Sequence, residues 1–193
     1  MLKEIHPDAL MALVRGDHGS PFDILGPHQI SAKTISLRTL RPTAAKIFAV
    51  NKATTKKIEM TKDHEDGFFV AKVRGESADW MGNRYYYEAY LPDGKTEIFH
   101  DPYAFNESRL SDFEYYLFGE GRFRYSYEKF GAHLHEIQGV KGVNFVVWAP
   151  NAYRVSVVGS FNRWDERVHP MRQNGESGIW ELFIPDLGVG EIY

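Results

Sequence analysis

The stretch VNFVVWAPNAYRVSVVGSFNRWD, residues 143–165, decides the predicted fold. It holds two runs of β-branched and aromatic residues on either side of Pro150, which is typical of two strands joined by a turn. In the first run, apolar residues occupy both alternating faces. We therefore expect this strand to be buried on both sides, with Trp148 in the core. A further strand, GIWELFIP at 178–185, follows, and Trp180 is expected to be buried there.

A second series of strands lies upstream and has the same layout. RPTAAKIFAV at 41–50 matches APNAYRVSVV at 149–158, in the shared order Pro, small polar residue, Ala, any residue, base and β-branched residue. Gly67 follows Pro42 at nearly the same separation as Gly178 follows Pro150. Several short strands at this spacing, without helices between them, are typical of a β-sandwich. We infer two copies of one sandwich, offset by about 108 residues.

The sequence therefore predicts an all-β chain of two tandem immunoglobulin-like β-sandwiches. A short helix precedes them in HPDALMALVRG, where Pro7 suits the first helical position and Gly16 suits the end. The expected domains are residues 1–108, a connector at 109–135, and a second sandwich at 136–193.

The second sandwich is expected to be incomplete at its C-terminal end. In the first copy, a hairpin at 85–100 with the turn Pro92-Asp93-Gly94 follows Gly67. No such hairpin follows Gly178 before Tyr193, so we expect this chain to be part of a longer protein.

The connector is dense in aromatic and charged residues. Its apolar residues Leu110, Phe113, Tyr116 and Leu117 have the spacing of one helix face, and Gly119 suits the end of that helix. Exposure of so many large apolar side chains to water would be unfavourable. We therefore expect an ordered connector.

The composition narrows the classes of function. The 193 residues are 43% hydrophobic, which suffices for a buried core, and carry a net charge of −3. A general nucleic-acid binder carries a basic surplus, so no nucleic-acid partner is expected. The absence of cysteine excludes disulfides, thiolate metal sites and cysteine nucleophiles. No run of about 18 apolar residues and no signal-peptide pattern occurs, so we expect a cytoplasmic protein with no membrane partner.

Catalytic and cofactor sites are not predicted. No nucleophile and base stand in a pattern that supports a reaction. His133 and His135 lie two residues apart on a predicted strand, but a single pair is a weak metal signal. GEGRF at 119–123 lacks the context and the lysine of a phosphate-binding loop. We expect no catalytic residue, no metal and no organic cofactor in this chain.

The residues at 143–171, followed by SGIWELFIP, resemble the carbohydrate-binding module of family 48 that precedes the catalytic domain of α-glucan enzymes. Three other stretches narrow the resemblance: DILGPH at 23–28, WMGNRYYYEAYLPDGKTEIFHDPY at 80–103, and YLFGEGRFRYSYEKFGAH at 116–133. Together they are similar to the N-terminal region of bacterial 1,4-α-glucan (glycogen) branching enzymes. The resemblance covers nearly the whole chain.

This resemblance implies a reaction that is carried out elsewhere in a longer protein. Such enzymes cut an α-1,4 bond and rejoin the chain at an O6 hydroxyl, using two carboxyl groups in a (β/α)8 barrel. None of that barrel lies in this sequence. The resemblance therefore implies a non-catalytic region of a glycosyltransferase that assists α-glucan binding and positioning. The implied partners are α-glucan, as glycogen or malto-oligosaccharide, and the barrel domain of the same protein.

Trp164 is the candidate glucan contact. It follows the turn formers Gly159 and Asn162, so we expect it at a strand end or in a loop, where an exposed indole can stack on a glucose ring. The matching tryptophan of related modules contacts α-glucan, so the resemblance implies the same role. The alternative is that Trp164 packs under the loop. Asn162 and Asp165 can bond glucose hydroxyls or, as is commoner for these residue types, cap the loop.

Two other functions stay open at this point. The chain can be an interaction scaffold without sugar binding of its own, with the aromatic connector docked against a barrel domain. It can also be the same region of a debranching or trehalose-forming relative, because such relatives share the motifs WAPNA at 148–152 and GSFNRWD at 159–165.

Overall fold

The structure is a computed structural model that describes residues 5–74 and 77–193. The chain forms two compact units, the first comprising residues up to 18 and 22–105, the second 19–21 and 106–193. Every strand pairing in the described ranges is antiparallel, so the all-β prediction is confirmed. In the same ranges, no helix is long and apolar enough to cross a membrane.

The first unit is a sandwich of two four-stranded sheets. Its strands are β1 (Gly26–Ser31), β2 (Thr34–Leu40), β3 (Lys46–Asn51), β4 (Lys57–Glu59), β5 (Thr61–His64), β6 (Phe68–Arg74), β7 (Tyr85–Tyr90) and β8 (Thr96–Phe99). One sheet has the order β1-β2-β6-β5 and the other has the order β4-β3-β7-β8. Large side chains that point inward from both sheets form the core, with Phe68, Tyr85 and Tyr87 almost fully buried.

Two local predictions for this unit are confirmed. Helix α1 (Pro7–Val14) begins with proline in its first turn and ends just before Gly16, which has a φ of 76°. β7 and β8 pair as a hairpin, and the backbone amide of Leu91 donates to the carbonyl of Lys95 across the turn. Gly94 holds a φ of 83° in that turn, which explains the choice of glycine.

The second unit contains one four-stranded sheet and the connector. Its elements are α2 (Asp112–Gly119), β9 (Gly131–Ile137), β10 (Val140–Trp148), β11 (Arg172–Gln173) and β12 (Ile179–Pro185). The sheet order is β11-β12-β10-β9. β9 spans residue 136, where the sequence predicts the boundary between connector and second sandwich, and both predicted segments lie in this unit.

The internal repeat is confirmed by matching contacts in the two units. The sheet order β9-β10-β12-β11 repeats the order β1-β2-β6-β5. The carbonyl of Gly67 accepts from the amide of Arg41 at 2.8 Å, and the carbonyl of Gly178 accepts from the amide of Ala149 at 2.8 Å. A Cβ on Gly67 would meet Pro42 at 2.5 Å, and one on Gly178 would meet Pro150 at 2.6 Å.

The repeat extends to the second sheet, but only in part. The amide of Met60 donates to the carbonyl of Ile47 in the first unit. In the second unit, the amide of Met171 donates to the carbonyl of Val155, the residue that the repeat aligns with Ile47. Segment 154–159 is thus the counterpart of β3, although it forms only an isolated bridge. The described residues of the second unit contain no counterpart of β7 and β8, so this sandwich is incomplete within them, as expected.

An apolar cavity of about 450 Å³ lies on the inner face of this incomplete sandwich. Its lining includes Phe145, Val147, Val155, Val157 and Met171. These side chains would form a sandwich core if a full second sheet covered them.

The two tryptophans expected in the core have different outcomes. Trp180 is 1% exposed, and its Nε1 donates to the carbonyl of Ala149 at 3.0 Å, so that prediction is confirmed. Trp148 is 55% exposed, so the prediction of a core position is wrong. The last two residues of β10, Val147 and Trp148, are exposed, and the ring of Phe118 packs against Trp148 in a T-shaped arrangement at a centroid distance of 5.7 Å.

The connector is ordered and its helix ends at Gly119 as predicted, but of the four residues predicted to share one buried face only Leu110 is fully buried. Phe113 and Tyr116 are exposed, whereas Tyr115 and Phe118 pack against the buried cluster of Leu110, Val146 and Ile179. Both faces of α2 carry aromatic residues at helical spacing, so periodicity alone could not select between them. Tertiary contact with the sheet makes the selection.

Buried Glu181 fixes the connector to the sheet. Its Oε2 accepts from the backbone amide of Arg109 at 3.0 Å and from Ser108 Oγ at 3.2 Å. Its Oε1 pairs with Arg172 Nη2 at 2.8 Å. A buried carboxylate is retained when it is satisfied in this way, so Glu181 holds the start of the connector on β12.

Candidate functional site

The candidate site is the loop that follows segment 154–159. A one-turn 3-10 helix, Ser160–Asn162, begins this loop directly after Gly159. A Cβ on Gly159 would lie 2.5 Å from the ring of Phe161 and 2.6 Å from the carbonyl oxygen of Ile192. The loop therefore starts at a place where the chain packs too closely for any larger residue.

The backbone of the loop turns sharply before Trp164. Arg163 and Trp164 both have left-handed conformations, with φ values of 57° and 61°. This region is uncommon for residues other than glycine, and the surrounding contacts must hold it in place. One such contact is the amide of Trp164, which donates to the carbonyl of Gly159 at 3.0 Å. The turn fixes the direction in which the indole leaves the backbone.

Asn162 lies beneath the loop and is 5% exposed. Its Oδ1 accepts from the amide of Gly159 at 2.9 Å, and its Nδ2 donates to the carbonyl of Val157 at 2.8 Å. Nδ2 also lies 3.0 Å from Nδ1 of His169, which is buried as well. The side chain thus closes the loop from inside, as the capping alternative describes.

Asp165 lies at the end of the loop and is paired with Arg167. Its two carboxylate oxygens accept from Arg167 Nε at 2.9 Å and Nη2 at 2.8 Å, and the amide of Arg167 donates to Oδ1 at 3.0 Å. These hydrogen bonds from Arg167 keep the pKa of the Asp165 carboxyl below its usual range. The group is therefore an anionic acceptor at neutral pH.

Of the three candidate residues, Asn162, Trp164 and Asp165, it is Trp164 whose side chain the loop presents to solvent. It is 55% exposed, so the alternative in which it packs wholly under the loop does not describe its position. A tightly hydrogen-bonded loop with an exposed indole is a pre-oriented apolar platform, and the next residue in the chain, Asp165, carries a carboxylate bound to a guanidinium. Such a platform suits a ligand with one apolar face and polar edges.

Sequence reasoning missed two supporting residues. The Asp165-x-Arg167 spacing is a signal for a local ion pair and could have identified Arg167. His169 contacts the side chain of Asn162 from further along the chain and packs near the ring of Phe161 at a centroid distance of 5.7 Å. No periodicity in the sequence indicates that contact, because it depends on how the loop folds back.

Metal chemistry finds no support in the described part of the chain, where no group of three or more His, Asp or Glu side chains could hold an ion. A single imidazole supplies only one ligand, which is too few for a metal site in a protein. His133, on β9, instead places its Nε2 2.8 Å from the backbone carbonyl of Phe130.

Trp80, in the first unit, is 4% exposed and belongs to the core beside Tyr85.

Comparison with known families gives two matches that together span most of the chain. The family described as alpha-1,4-glucan branching enzyme GlgB, N-terminal domain, matches residues 6–103. The family described as carbohydrate-binding module 48 (isoamylase N-terminal domain) matches residues 129–193. The second match contains the candidate loop.

Individual relatives agree with these matches. The chain is 45% identical over 182 residues to a protein named 1,4-alpha-glucan branching enzyme GlgB from Paramagnetospirillum magneticum, covering 94% of this chain and 23% of that protein. It is 42% identical over 193 residues to the protein of the same name from Trichodesmium erythraeum, covering 98% of this chain and 24% of that protein. The chain thus spans about a quarter of the length of these relatives.

Proposed function

Because this chain belongs to the family of the alpha-1,4-glucan branching enzyme GlgB N-terminal domain, we propose that it is the non-catalytic N-terminal part of a 1,4-α-glucan branching enzyme. The whole enzyme would transfer an α-1,4-glucan chain to an α-1,6 branch point in the cytoplasm. The part described here would bind α-glucan and position it for a catalytic domain. Its antiparallel sandwiches would supply a surface for the substrate.

The observation that carries the glucan-binding proposal is the exposed indole of Trp164 on a fixed loop. The C–H face of a glucose ring is apolar, and a flat aromatic ring excludes water from it. By analogy with stacking of nucleic-acid bases on aromatic side chains, such a contact contributes about 1–3 kcal/mol. Because the loop is already ordered by its own hydrogen bonds, little conformational entropy is lost on binding.

Asn162 and Asp165 have different parts in this proposal. Asn162 acts through the loop, since its amide closes the turn from inside. Asp165 follows Trp164 in the chain and keeps a side chain that is 20% exposed. Its carboxylate, and the guanidinium of Arg167 bound to it, can accept from and donate to glucose hydroxyls.

Protection of Trp164 from a collisional quencher tests the proposal. Trp148 and Trp164 are both 55% exposed, whereas Trp80 and Trp180 are buried, so acrylamide quenches two residues selectively. Maltoheptaose should protect the Trp148→Phe variant, in which Trp164 remains, and should leave Trp164→Phe unprotected. Circular dichroism checks that both variants fold. Equal protection of the two variants, or none in either, would reject Trp164 as the platform.

A second function is favoured by two pairs of exposed aromatic residues in the connector. Phe113 and Tyr116 on α2, with Tyr125 and Tyr127 after it, are all more than half exposed. Exposed aromatic clusters of this kind are typical of protein interfaces. We propose that these exposed aromatic residues dock against the catalytic domain of the longer protein. In the full-length enzyme, Phe113→Ser with Tyr127→Ser should lower the melting temperature of the enzyme and leave the isolated chain unchanged.

A further inference from the structure

The first unit carries a pocket at the position that corresponds to the Trp164 loop. β3 ends at Asn51, and the repeat aligns Asn51 with Gly159, where the counterpart of β3 ends. The loop at 52–56 is therefore the counterpart of the loop at 160–167. The first loop is shorter, which accounts for the smaller separation between Pro42 and Gly67 in the first copy.

The pocket has a volume of about 320 Å³, which is at the lower end of the usual range for ligand sites. It lies between the loop at 52–56 and the chain that leads into β7, and we call it the unit-1 pocket. Its lining residues are Asn51, Lys52, Ala53, Thr54, Asp79, Asn83 and Arg84.

Hydrogen bonds hold the two walls of the unit-1 pocket together. Asn51 Nδ2 donates to the carbonyl of Asp79 at 2.7 Å. Lys52 Nζ donates to Asn83 Oδ1 at 2.9 Å, and the amide of Lys52 donates to the carbonyl of Arg84 at 2.9 Å. These bonds join segments that are distant in the sequence, so the pocket is formed before any ligand arrives.

The loop itself is fixed from inside, as it is in the second unit. Asn51 is 2% exposed, and its Oδ1 accepts from the amides of Ala53 and Thr54 and from the hydroxyl of Thr54. Thr55 has a φ of 55°, which is unusual for a β-branched residue. Strained backbone that is held by buried side chains is concentrated at binding sites. In each unit a buried asparagine closes the loop, Asn51 from the end of β3 and Asn162 from within the loop, and each loop contains a left-handed residue.

The chemistry of the lining favours a neutral ligand with many hydroxyl groups. Lys52 and Arg84 are donors, and the carboxylate of Asp79 is an acceptor. An anion would be attracted by Lys52 and Arg84 but repelled by Asp79. A hydroxyl group can accept hydrogen bonds from Lys52 and Arg84 and donate one to Asp79. None of the described residues that line the unit-1 pocket is aromatic, so it would bind hydroxyls at the edge of a sugar and not its face.

We propose that the unit-1 pocket is a second saccharide site, which binds the hydroxyl groups of a glucosyl unit of an α-glucan. The proposal rests on the proposed function, since the ligand of each site is α-glucan. It assigns to each sandwich its own contact with the glucan: an aromatic platform in the second unit and a polar pocket in the first.

Amide NMR spectra of the whole chain, recorded during titration with maltoheptaose, test the two sites separately. We expect saturable shifts of the amides of residues 53, 54 and 83, together with those at 159–165. The double variant Lys52→Ala, Arg84→Ala should make binding at the unit-1 pocket at least about tenfold weaker and leave the shifts at 159–165 in place. Lys33→Ala with Lys72→Ala is the matched control, because it removes equal charge from exposed positions of the same unit.

Each outcome of this titration decides one of the two proposals. If residues 53, 54 and 83 do not shift at saturation, or shift equally in the double variant, the unit-1 pocket is not a saccharide site. If they shift with inorganic phosphate and not with maltoheptaose, the pocket is an anion site and the proposal is wrong. If they shift as expected while 159–165 do not, the pocket stands and the Trp164 platform fails.

Discussion

Two glycines show at the scale of single residues how the repeat is maintained. Gly67 and Gly178 each adopt a left-handed conformation and each lie directly against a proline at the end of a strand. A side chain at either position would have to displace backbone atoms, which the strand pairing holds in place. The similar Pro-to-Gly spacing in the two copies thus reflects the same close contact between the glycine and the proline.

Substitution of these glycines should be far more costly than substitution of glycines in open turns. We expect Gly67→Ala to lower the free energy of unfolding of the first unit by at least about 2 kcal/mol more than Gly94→Ala does, because both residues have positive φ but only Gly67 meets other atoms. Gly178→Ala and Gly175→Ala are the matched pair in the second unit. Urea unfolding measures all four, and equal losses within a pair would contradict the close approach.

Asp101 is a buried carboxylate in the core of the first unit. Its Oδ2 accepts from Tyr85 Oη at 2.7 Å and Tyr87 Oη at 3.0 Å, and its Oδ1 accepts from the amide of Tyr103. Burial nevertheless raises the pKa of Asp101 to about 6, although these hydrogen bonds and the nearby Arg41 oppose the shift. The folded state therefore binds a proton more tightly than the unfolded chain does.

This shift predicts that the first unit is stabilised by mild acid. Because the folded pKa of about 6 lies above the ordinary pKa of 3.8 for an aspartate, the contribution is full below about pH 4 and is lost as the pH rises through 6. Between pH 7 and pH 5 the free energy of unfolding should rise by about 1 kcal/mol relative to Asp101→Asn. Urea unfolding followed by NMR peaks of this unit measures it; identical pH slopes in both proteins would refute it.

At the scale of elements, helix α2 has two aromatic faces, one packed against the sheet and one exposed. Tyr115 and Phe118 are packed against the sheet, and Phe118 stacks on Phe130 with a centroid distance of 4.8 Å. Phe113 and Tyr116 lie on the exposed side. A capping box between Ser111 and Glu114 fixes where the helix begins.

Alanine substitutions on the two faces should therefore have unequal effects. Phe118→Ala should lower the stability of the second unit by about 2 kcal/mol, since it removes a packed aromatic side chain. Phe113→Ala should change it by less than about 0.5 kcal/mol, because that ring is 66% exposed. Thermal unfolding distinguishes the two faces. A larger loss of stability for Phe113→Ala than for Phe118→Ala would show that the face predicted from periodicity is the buried one.

Sequence patterns predict the elements better than they predict which faces are covered. Alternation and turn residues suffice for β7, β8 and their turn, because the signals are local. Trp148 and the faces of α2 are decided by neighbours that are distant in the sequence. At the candidate site, turn formers correctly place Trp164 in a loop, but the contact of Asn162 with His169 depends on tertiary folding.

At the scale of the whole molecule, two copies of one sandwich present two different loops at the same position. Both loops are closed from inside by a buried asparagine, Asn51 in one and Asn162 in the other. The second loop is the longer one and carries an exposed tryptophan. The repeat could be predicted from matching motifs and their spacing, whereas the unit-1 pocket could not, because its walls come from separate segments.

The most direct test of the central claim is native electrophoresis of the chain through a gel that contains glycogen. Lys52→Ala and Arg84→Ala are introduced first, so that the unit-1 pocket does not contribute. In this background, glycogen should retard the chain, and the further change Trp164→Ala should remove the retardation. Trp148→Ala, which removes an equally exposed tryptophan, should leave it in place. Equal retardation with and without Trp164, or no retardation of the starting protein, would contradict the assignment of the glucan platform to this loop.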